Sequence, residues 1–150
     1  MIKKGKVITL SVRHINKVKA DEIWLITNAG KNIKSTVRVK ELAPSDRLFS
    51  KWFKEWKNEK PEFWWAQYRE IFVAELKQNY LALEKLRELE NKVKNGKVIA
   101  LACYCENERY CHRTIIKDIL LKKGVTAEEY KKEGVLLEGQ QEQLTINFGG

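Results

Sequence analysis

All three cysteines of the chain lie within VIALACYCENERYCHR, residues 98–113, and a histidine and an arginine follow the last of them. A thiolate is a nucleophile, and an imidazole or a carboxylate beside it can move protons. A guanidinium can hold a phosphate or carboxylate group through two parallel hydrogen bonds. These residue types predict a nucleophile next to an anion-binding group, and the candidate catalytic residues are Cys105, Glu106, Cys111, His112 and Arg113. In this interpretation Cys105 or Cys111 attacks, His112 or Glu106 moves protons, and Arg113 binds the substrate's anionic group.

Two other interpretations of the same stretch stay open. Cys103, Cys105, Cys111 and His112 are ligand types of a zinc site, although their spacing, C-x-C-x5-C-H, differs from the usual C-x2-C pair. Cys111 and His112 are also adjacent, which is uncommon for two ligands of one ion, so the spacing alone assigns no metal ligand. In the third interpretation the cysteines are structural: Cys103 and Cys105 fill one face of a strand, and Cys111 caps a helix.

The elements around the cysteines place them at the edge of a sheet. KVIALACYC, residues 97–105, is a continuous apolar run of the kind found in strands buried on both faces of a parallel sheet. HRTIIKDILLKKG, residues 112–124, has helical periodicity and ends on a glycine. The residues between them therefore form a loop at the carboxyl end of a strand, where open α/β sheets bind ligands. The start of the following helix favours an anion or a thiolate.

The remaining periodicities predict an α/β domain with three layers and a mostly parallel sheet. Further strands are predicted at residues 6–12, 22–27, 35–39 and 134–139, and helices are predicted from Pro44-Ser45, from Pro61 and after Asn79 as far as Asn95-Gly96. The helix that begins at Pro61 has Trp64, Tyr68, Ile71 and Phe72 on one face. We interpret these aromatic residues mainly as core, with a base-stacking platform as the alternative.

Composition bounds the partners and the compartment. The 150 residues suit one domain, and the net charge of +9 favours polyanionic partners such as nucleic acid, although a solvated Lys-rich surface explains it equally well. Three clustered cysteines do not form a disulfide framework. No apolar run is long enough to span a membrane and the start of the chain lacks a signal-peptide pattern, so a cytoplasmic protein without membrane contact is expected. Its high Lys and Glu content is also found in thermophiles.

The residues after 138 differ in composition, because three of the chain's five glutamines follow residue 139. We therefore predict one α/β domain over residues 1–138 and a tail over residues 139–150. An edge strand or disorder explains this tail. A sharper hypothesis is that Gln141, Leu144 and Phe148 form a Gln-led apolar peptide that docks on a sliding clamp.

The stretch LACYCENERYCHRTIIKDIL resembles the signature of the domain of unknown function 488 family, in which Cys-His-Arg opens a helix after a strand. VKELAPSDRLFSKWFKEW and WWAQYREIFVAELKQN resemble the helical region of the family's YeaO-like branch. The resemblance implies a small Rossmann-like α/β domain but supplies no reaction and no cofactor. It carries over to the five candidate catalytic residues and to Pro44 and Ser45. The second predicted strand ends WLITNAG, without the Asp-Arg pair found in many relatives.

Two functions from different classes remain. The first is a Cys-His-Arg pocket for an anionic substrate, which acts on a phosphate-bearing molecule or nucleic acid. The second is a nucleic-acid-associated binding or adaptor module without chemistry, whose cysteines are structural or bind zinc. Both use the basic composition, and they differ in whether a cysteine reacts.

Overall fold

The computed structural model describes residues 4–105 and 107–131. Five strands form a single sheet: β1 (Lys6–Ser11), β2 (Glu22–Leu25), β3 (Val37–Arg38), β4 (Val98–Cys103) and β5 (Ala127–Glu129). Their order across the sheet is β3-β2-β4-β1-β5, and every neighbouring pair is parallel. The predicted α/β Rossmann-like class is thereby confirmed, and the sheet is wholly parallel within the part of the chain that the structure describes.

In the described part of the chain, four α-helices connect the strands: α1 (Asp46–Lys51), α2 (Pro61–Gln78), α3 (Tyr80–Lys94) and α4 (His112–Lys122). A π-helical turn, Trp52–Trp56, extends α1, and three 3-10 segments occur at Val12–Lys17, Lys40–Leu42 and Glu108–Tyr110. The helix starts follow from the sequence signals. The Ser45 hydroxyl accepts a hydrogen bond from the Leu48 backbone, Pro61 occupies the first turn of α2, and the Asn79 side chain caps α3.

The α-helices cover one face of the sheet. Alternate residues of β4 separate the two faces: Ile99, Leu101 and Cys103 pack with the buried residues of α2, α3 and α4. Ala100 and Ala102 point to the other face. There they pack with Leu10 of β1, Leu25 of β2 and Ile15, which lies in the first 3-10 segment. The small alanine side chains suit this thinner layer. Within the described ranges, the third layer is therefore a 3-10 turn and extended chain, not an α-helix.

The aromatic stripe of α2 is core, as interpreted from its spacing, whereas Phe63 at the start of the same helix is exposed. Trp64, Tyr68 and Phe72 are buried, and Trp65 is partly buried against the same cluster. Trp64 and Tyr68 meet edge to face, with ring centroids 5.8 Å apart. This stripe packs α2 against α4 and so supports the helix that begins after the last cysteine.

Several predicted features fall on residues that are not described. The predicted strand at 134–139, the boundary near residue 138, the tail with its clamp-docking hypothesis and the candidate Glu106 all lie outside the described residues. The sequence missed β5, whose residues Ala127–Glu129 are mostly acidic and do not resemble a buried strand.

Among the residues that the structure describes, no helix combines the length and the apolar composition required to cross a membrane.

Candidate functional site

The three cysteines converge at the carboxyl edge of the central strand. Cys103 is the last residue of β4, and Cys111 is the N-cap of α4. Both are buried, with 0% and 1% of their surface exposed, whereas Cys105 in the connecting loop is partly exposed. Cys105 is therefore the most accessible residue of the three.

The cysteines and His112 form a compact group, which we call the sulfur–imidazole cluster: Cys103, Cys105, Cys111 and His112. One donor atom from each of the four residues lies within 4.8 Å of all the others. The Sγ atoms of Cys103 and Cys111 are 3.1 Å apart, and Cys111 Sγ is 3.7 Å from His112 Nδ1. The structure thus brings together three of the five candidate residues, Cys105, Cys111 and His112, with Cys103 as a fourth member.

A backbone contact fixes the proton of the His112 ring. His112 Nε2 lies 2.7 Å from the carbonyl oxygen of Ile26, just beyond β2. A carbonyl only accepts, so Nε2 carries a hydrogen, and Nδ1 is the ring nitrogen that faces Cys111. The ring is buried and meets Phe72 edge to face, with ring centroids 5.6 Å apart. The imidazole is therefore held in one orientation toward the sulfur atoms.

Arg113 supports the cluster from inside the protein. Its Nη1 donates to the carbonyl oxygen of Cys105 at 2.8 Å and to Cys103 Sγ at 3.1 Å. Its Nε and Nη2 donate to the carboxylate of Glu129 in β5, at 3.0 Å and 2.9 Å. The Arg113 and Glu129 side chains are only 2% and 8% exposed. The sequence predicted that two parallel hydrogen bonds from the Arg113 guanidinium would hold an external anion. Glu129 accepts these hydrogen bonds instead, so Arg113 orients the loop and places a positive charge beside the cluster.

The electrostatics favour one negative charge shared by the sulfur atoms. Hydrogen bonds from the Cys105 and Cys111 thiols, with help from the charge of Arg113, hold the pKa of Cys103 well below its usual range. The hydrogen bond to Cys103 raises the pKa of Cys105 to about 12, and burial followed by the same partner raises the pKa of Cys111. Burial works against the charge of Arg113, but its hydrogen bonds to Glu129 raise its pKa. These directions favour deprotonation of Cys103 before Cys105 or Cys111.

Comparison with known families decides where the chain belongs. The family model DUF488-N3a, described as the active DUF488-N3 subclade, matches residues 7–124, more than half of the chain. The chain belongs to this DUF488 family. No curated protein and no solved structure matches it. The resemblance seen in the Cys-His-Arg stretch is thus confirmed at the level of the family.

The DUF488 match covers β1 to the end of α4 and so contains the whole sulfur–imidazole cluster. It ends before Glu129, the residue that pairs with Arg113. Glu129 also accepts a hydrogen bond from the Thr9 hydroxyl at 2.7 Å. Sequence reasoning found neither Glu129 nor Thr9. An acidic residue after the last predicted helix, such as Glu129, carries no signal of its own.

The family-derived positions Pro44 and Ser45 lie apart from the sulfur atoms. They line a cleft of about 460 Å³ together with Asn28, Glu75 and Tyr80. Glu75 accepts hydrogen bonds from the Ser45 amide and hydroxyl, and Asn28 donates to the Pro44 carbonyl. These bonds fix the turn before α1. None of the residues that line the cleft belongs to the sulfur–imidazole cluster.

Arg13 and His14 lie in the 3-10 segment after β1. The His14 ring packs on Tyr130, with centroids 5.1 Å apart. His14 therefore provides a histidine outside the sulfur–imidazole cluster for comparison with His112.

Proposed function

We propose that this DUF488 protein is an enzyme whose functional centre is the sulfur–imidazole cluster, and that Cys105 is its nucleophile toward a phosphate-bearing or nucleic-acid substrate. The observation that carries the proposal is the contact of Arg113 with both the Cys103 sulfur and the carbonyl of Cys105, the one partly exposed cysteine. A buried guanidinium favours negative charge on the sulfur atoms, and a charged sulfur is the reactive form.

The reacting step needs one internal proton transfer. The Cys105 thiol proton passes to the Cys103 sulfur, which lies in the same cluster and whose pKa is lowered. The raised pKa of Cys105 makes its thiolate a minor form, which is consumed as its electron pair forms a bond to the electrophilic atom of the substrate. The bond from that atom to its leaving group breaks, and the leaving group departs with the electron pair and takes the proton held by Cys103. Water then attacks the group bound to Cys105 and releases it with the oxygen of the water, and the remaining proton of the water restores the Cys105 thiol. His112 Nδ1 can accept the proton of Cys111, and Glu106 is the proposed second proton carrier.

The net charge of the chain and the position of the loop favour a negatively charged substrate. The chain has a net charge of +9, which attracts phosphate-bearing molecules over a distance. The loop also ends at the first turn of α4, an 11-residue helix whose free amides favour an anion. Arg113 is assigned the role of a positioning residue, because its own hydrogen bonds go to Glu129, Cys103 and Cys105.

The alternative is a nucleic-acid-associated adaptor without turnover. It is supported by the burial of Cys103 and Cys111, which suits structural residues. In this case the basic surface supplies the binding, and affinity for duplex DNA falls by roughly 0.9 log units per log of salt for each phosphate neutralised. A Cys105 variant would then bind nucleic acid as the wild type does.

We expect turnover to depend on Cys105. Reduced protein is incubated with p-nitrophenyl phosphate, a bis-ester of phosphate, and labelled single-stranded DNA and RNA, and product is measured beside Cys105→Ser. The wild type is expected to convert at least one of these probes, and the variant none of them, because serine is a far weaker nucleophile than a thiolate. Ser50→Ala, a change in α1 outside the sulfur–imidazole cluster, is the matched control and should leave turnover unchanged.

Two outcomes would overturn this function. Undiminished turnover in Cys105→Ser would remove Cys105 as the nucleophile. Equal oligonucleotide binding by both proteins, with no product from any probe, would support the adaptor instead.

A further inference from the structure

The sulfur–imidazole cluster presents the donor set of a metal centre. Three thiol sulfurs and one imidazole nitrogen lie within 4.8 Å of one another. Cys103, Cys111 and His112 are each at least nine-tenths buried, so three of the four donor residues are shielded from bulk water. Thiolate and imidazole donors select zinc over magnesium or calcium, which prefer oxygen ligands.

The orientation of His112 adds an independent observation. Histidines that bind metals almost always donate their other ring N–H to a carbonyl or carboxylate, which fixes the tautomer. His112 Nε2 meets this condition through Ile26, at 2.7 Å. In the tautomer with the hydrogen on Nε2, Nδ1 carries the lone pair and faces Cys111 Sγ at 3.7 Å.

The backbone at the start of α4 explains how two adjacent residues can serve one ion. Cys111 is extended, with φ −131° and ψ 144°, whereas His112 begins the helix. This change of conformation turns both side chains toward the same point. The objection from their adjacency in the sequence is thereby removed.

We propose that the cluster binds one Zn²⁺ ion through the Sγ atoms of Cys103, Cys105 and Cys111 and the Nδ1 atom of His112. Zn–S bonds of about 2.3 Å and a Zn–N bond of about 2.0 Å put tetrahedral ligand atoms roughly 3.5–3.8 Å apart. The present Cys111–His112 separation of 3.7 Å already fits. The Cys103–Cys111 separation of 3.1 Å has to widen by less than about 1 Å.

Charge also balances around such a centre. Three thiolates and one Zn²⁺ ion give one net negative charge, and the Arg113 guanidinium lies beside it. Arg113 Nη1 is 3.1 Å from Cys103 Sγ and 3.7 Å from Cys111 Sγ, so it can donate to ligand sulfurs. Glu129 keeps the guanidinium in place. Hydrogen bonds of this kind orient metal ligands and strengthen binding.

Zinc binding goes beyond the proposed function, although both use the same cluster. The metal takes the electron pair of Cys105 Sγ that would attack a substrate. The zinc-bound protein is therefore a closed state, in which Cys105 neither reacts with a substrate nor is alkylated. Removal of the ion restores the thiol.

The test is a Co²⁺ titration of the reduced, full-length protein after its metals have been removed with a chelator. We expect a thiolate-to-cobalt charge-transfer absorption that saturates at one ion per chain and disappears when Zn²⁺ is added. His112→Gln should weaken Zn²⁺ binding by at least about tenfold, the lower bound seen for disturbed metal sites. His14→Gln changes the other histidine of the chain and should bind Zn²⁺ as the wild type does.

Cys105→Ser covers the case in which His112→Gln fails to fold, because Cys105 is partly exposed. It should reduce the sulfur-to-cobalt absorption while the circular dichroism spectrum stays unchanged. Absence of a saturable cobalt spectrum in the wild type, or a spectrum unaffected by Cys105→Ser, would overturn the zinc site. Reactivity of Cys105 in the metal-free protein is measured separately, so the zinc site and the proposed nucleophile can each fail alone.

Discussion

Arg113→Ala should lower the free energy of unfolding by about 3–5 kcal/mol, the range found when one partner of a buried ion pair is removed. Arg113 is 2% exposed and its carboxylate partner Glu129 is 8% exposed. The substitution leaves that carboxylate buried without its cation and removes the donor to the Cys105 carbonyl. Denaturant unfolding, followed by circular dichroism, measures the loss.

Arg69→Ala is the matched control, since it breaks another arginine–carboxylate ion pair, which lies at the surface. Arg69 pairs with Asp118 at 3.4 Å, and both side chains are more than a third exposed. Surface pairs contribute about 0–1 kcal/mol, so this variant should unfold close to the wild type. A similar loss of unfolding free energy in both variants would show that the buried Arg113–Glu129 pair contributes no more to stability than the surface pair does. The double variant Arg113→Met/Glu129→Leu should recover part of the stability, because no buried charge is left unpaired.

Phe72→Ala should cost about 3–5 kcal/mol of stability, the usual range for truncation of a buried phenylalanine. Phe72 is fully buried, and its ring lies between Tyr68 and His112. Loss of the Phe72 ring opens a cavity beside the His112 imidazole and removes a contact that orients that imidazole. Denaturant unfolding reports the stability, and the Co²⁺ spectrum reports any change at the sulfur–imidazole cluster.

Phe63→Ala is the control for this core prediction, because Phe63 lies in the first turn of the same helix and is 76% exposed. Its effect should stay within about 0.5 kcal/mol, as for most surface changes. If Phe72→Ala and Phe63→Ala cost the same, the aromatic stripe of α2 is not the support for α4 that the packing indicates.

The sequence predicted the elements around the site because their signals are local. An apolar run predicted β4, and Ser45, Pro61 and Asn79 marked the starts of helices. The loop with its cysteines at the carboxyl edge follows from these elements alone. The order of the strands did not follow from the sequence, because it depends on which apolar faces meet after the chain has collapsed.

The partners of the candidate residues were out of reach for the same reason. Glu129 lies 16 residues beyond Arg113 in the short strand β5, and the carbonyl of Ile26 lies 86 residues from His112. A backbone carbonyl has no signature in the sequence, and an acidic strand resembles a loop. These long-range contacts change the interpretation of Arg113 from a binder of external anions to a support for the cysteines.

The central claim is that Cys105 is the reactive sulfur of an Arg113-supported cluster, and peptide-mapped alkylation tests it most directly. Metal-free, reduced protein is treated with limiting iodoacetamide at neutral pH, and the rate at each cysteine is compared with its rate in the urea-unfolded chain. We predict that Cys105 is labelled before Cys103 and Cys111 in the folded protein, because it is the partly exposed cysteine of the three, whereas all three label at similar rates in the unfolded chain. Labelling of Cys103 or Cys111 before Cys105 in the folded protein, or three equal rates there, would contradict the claim.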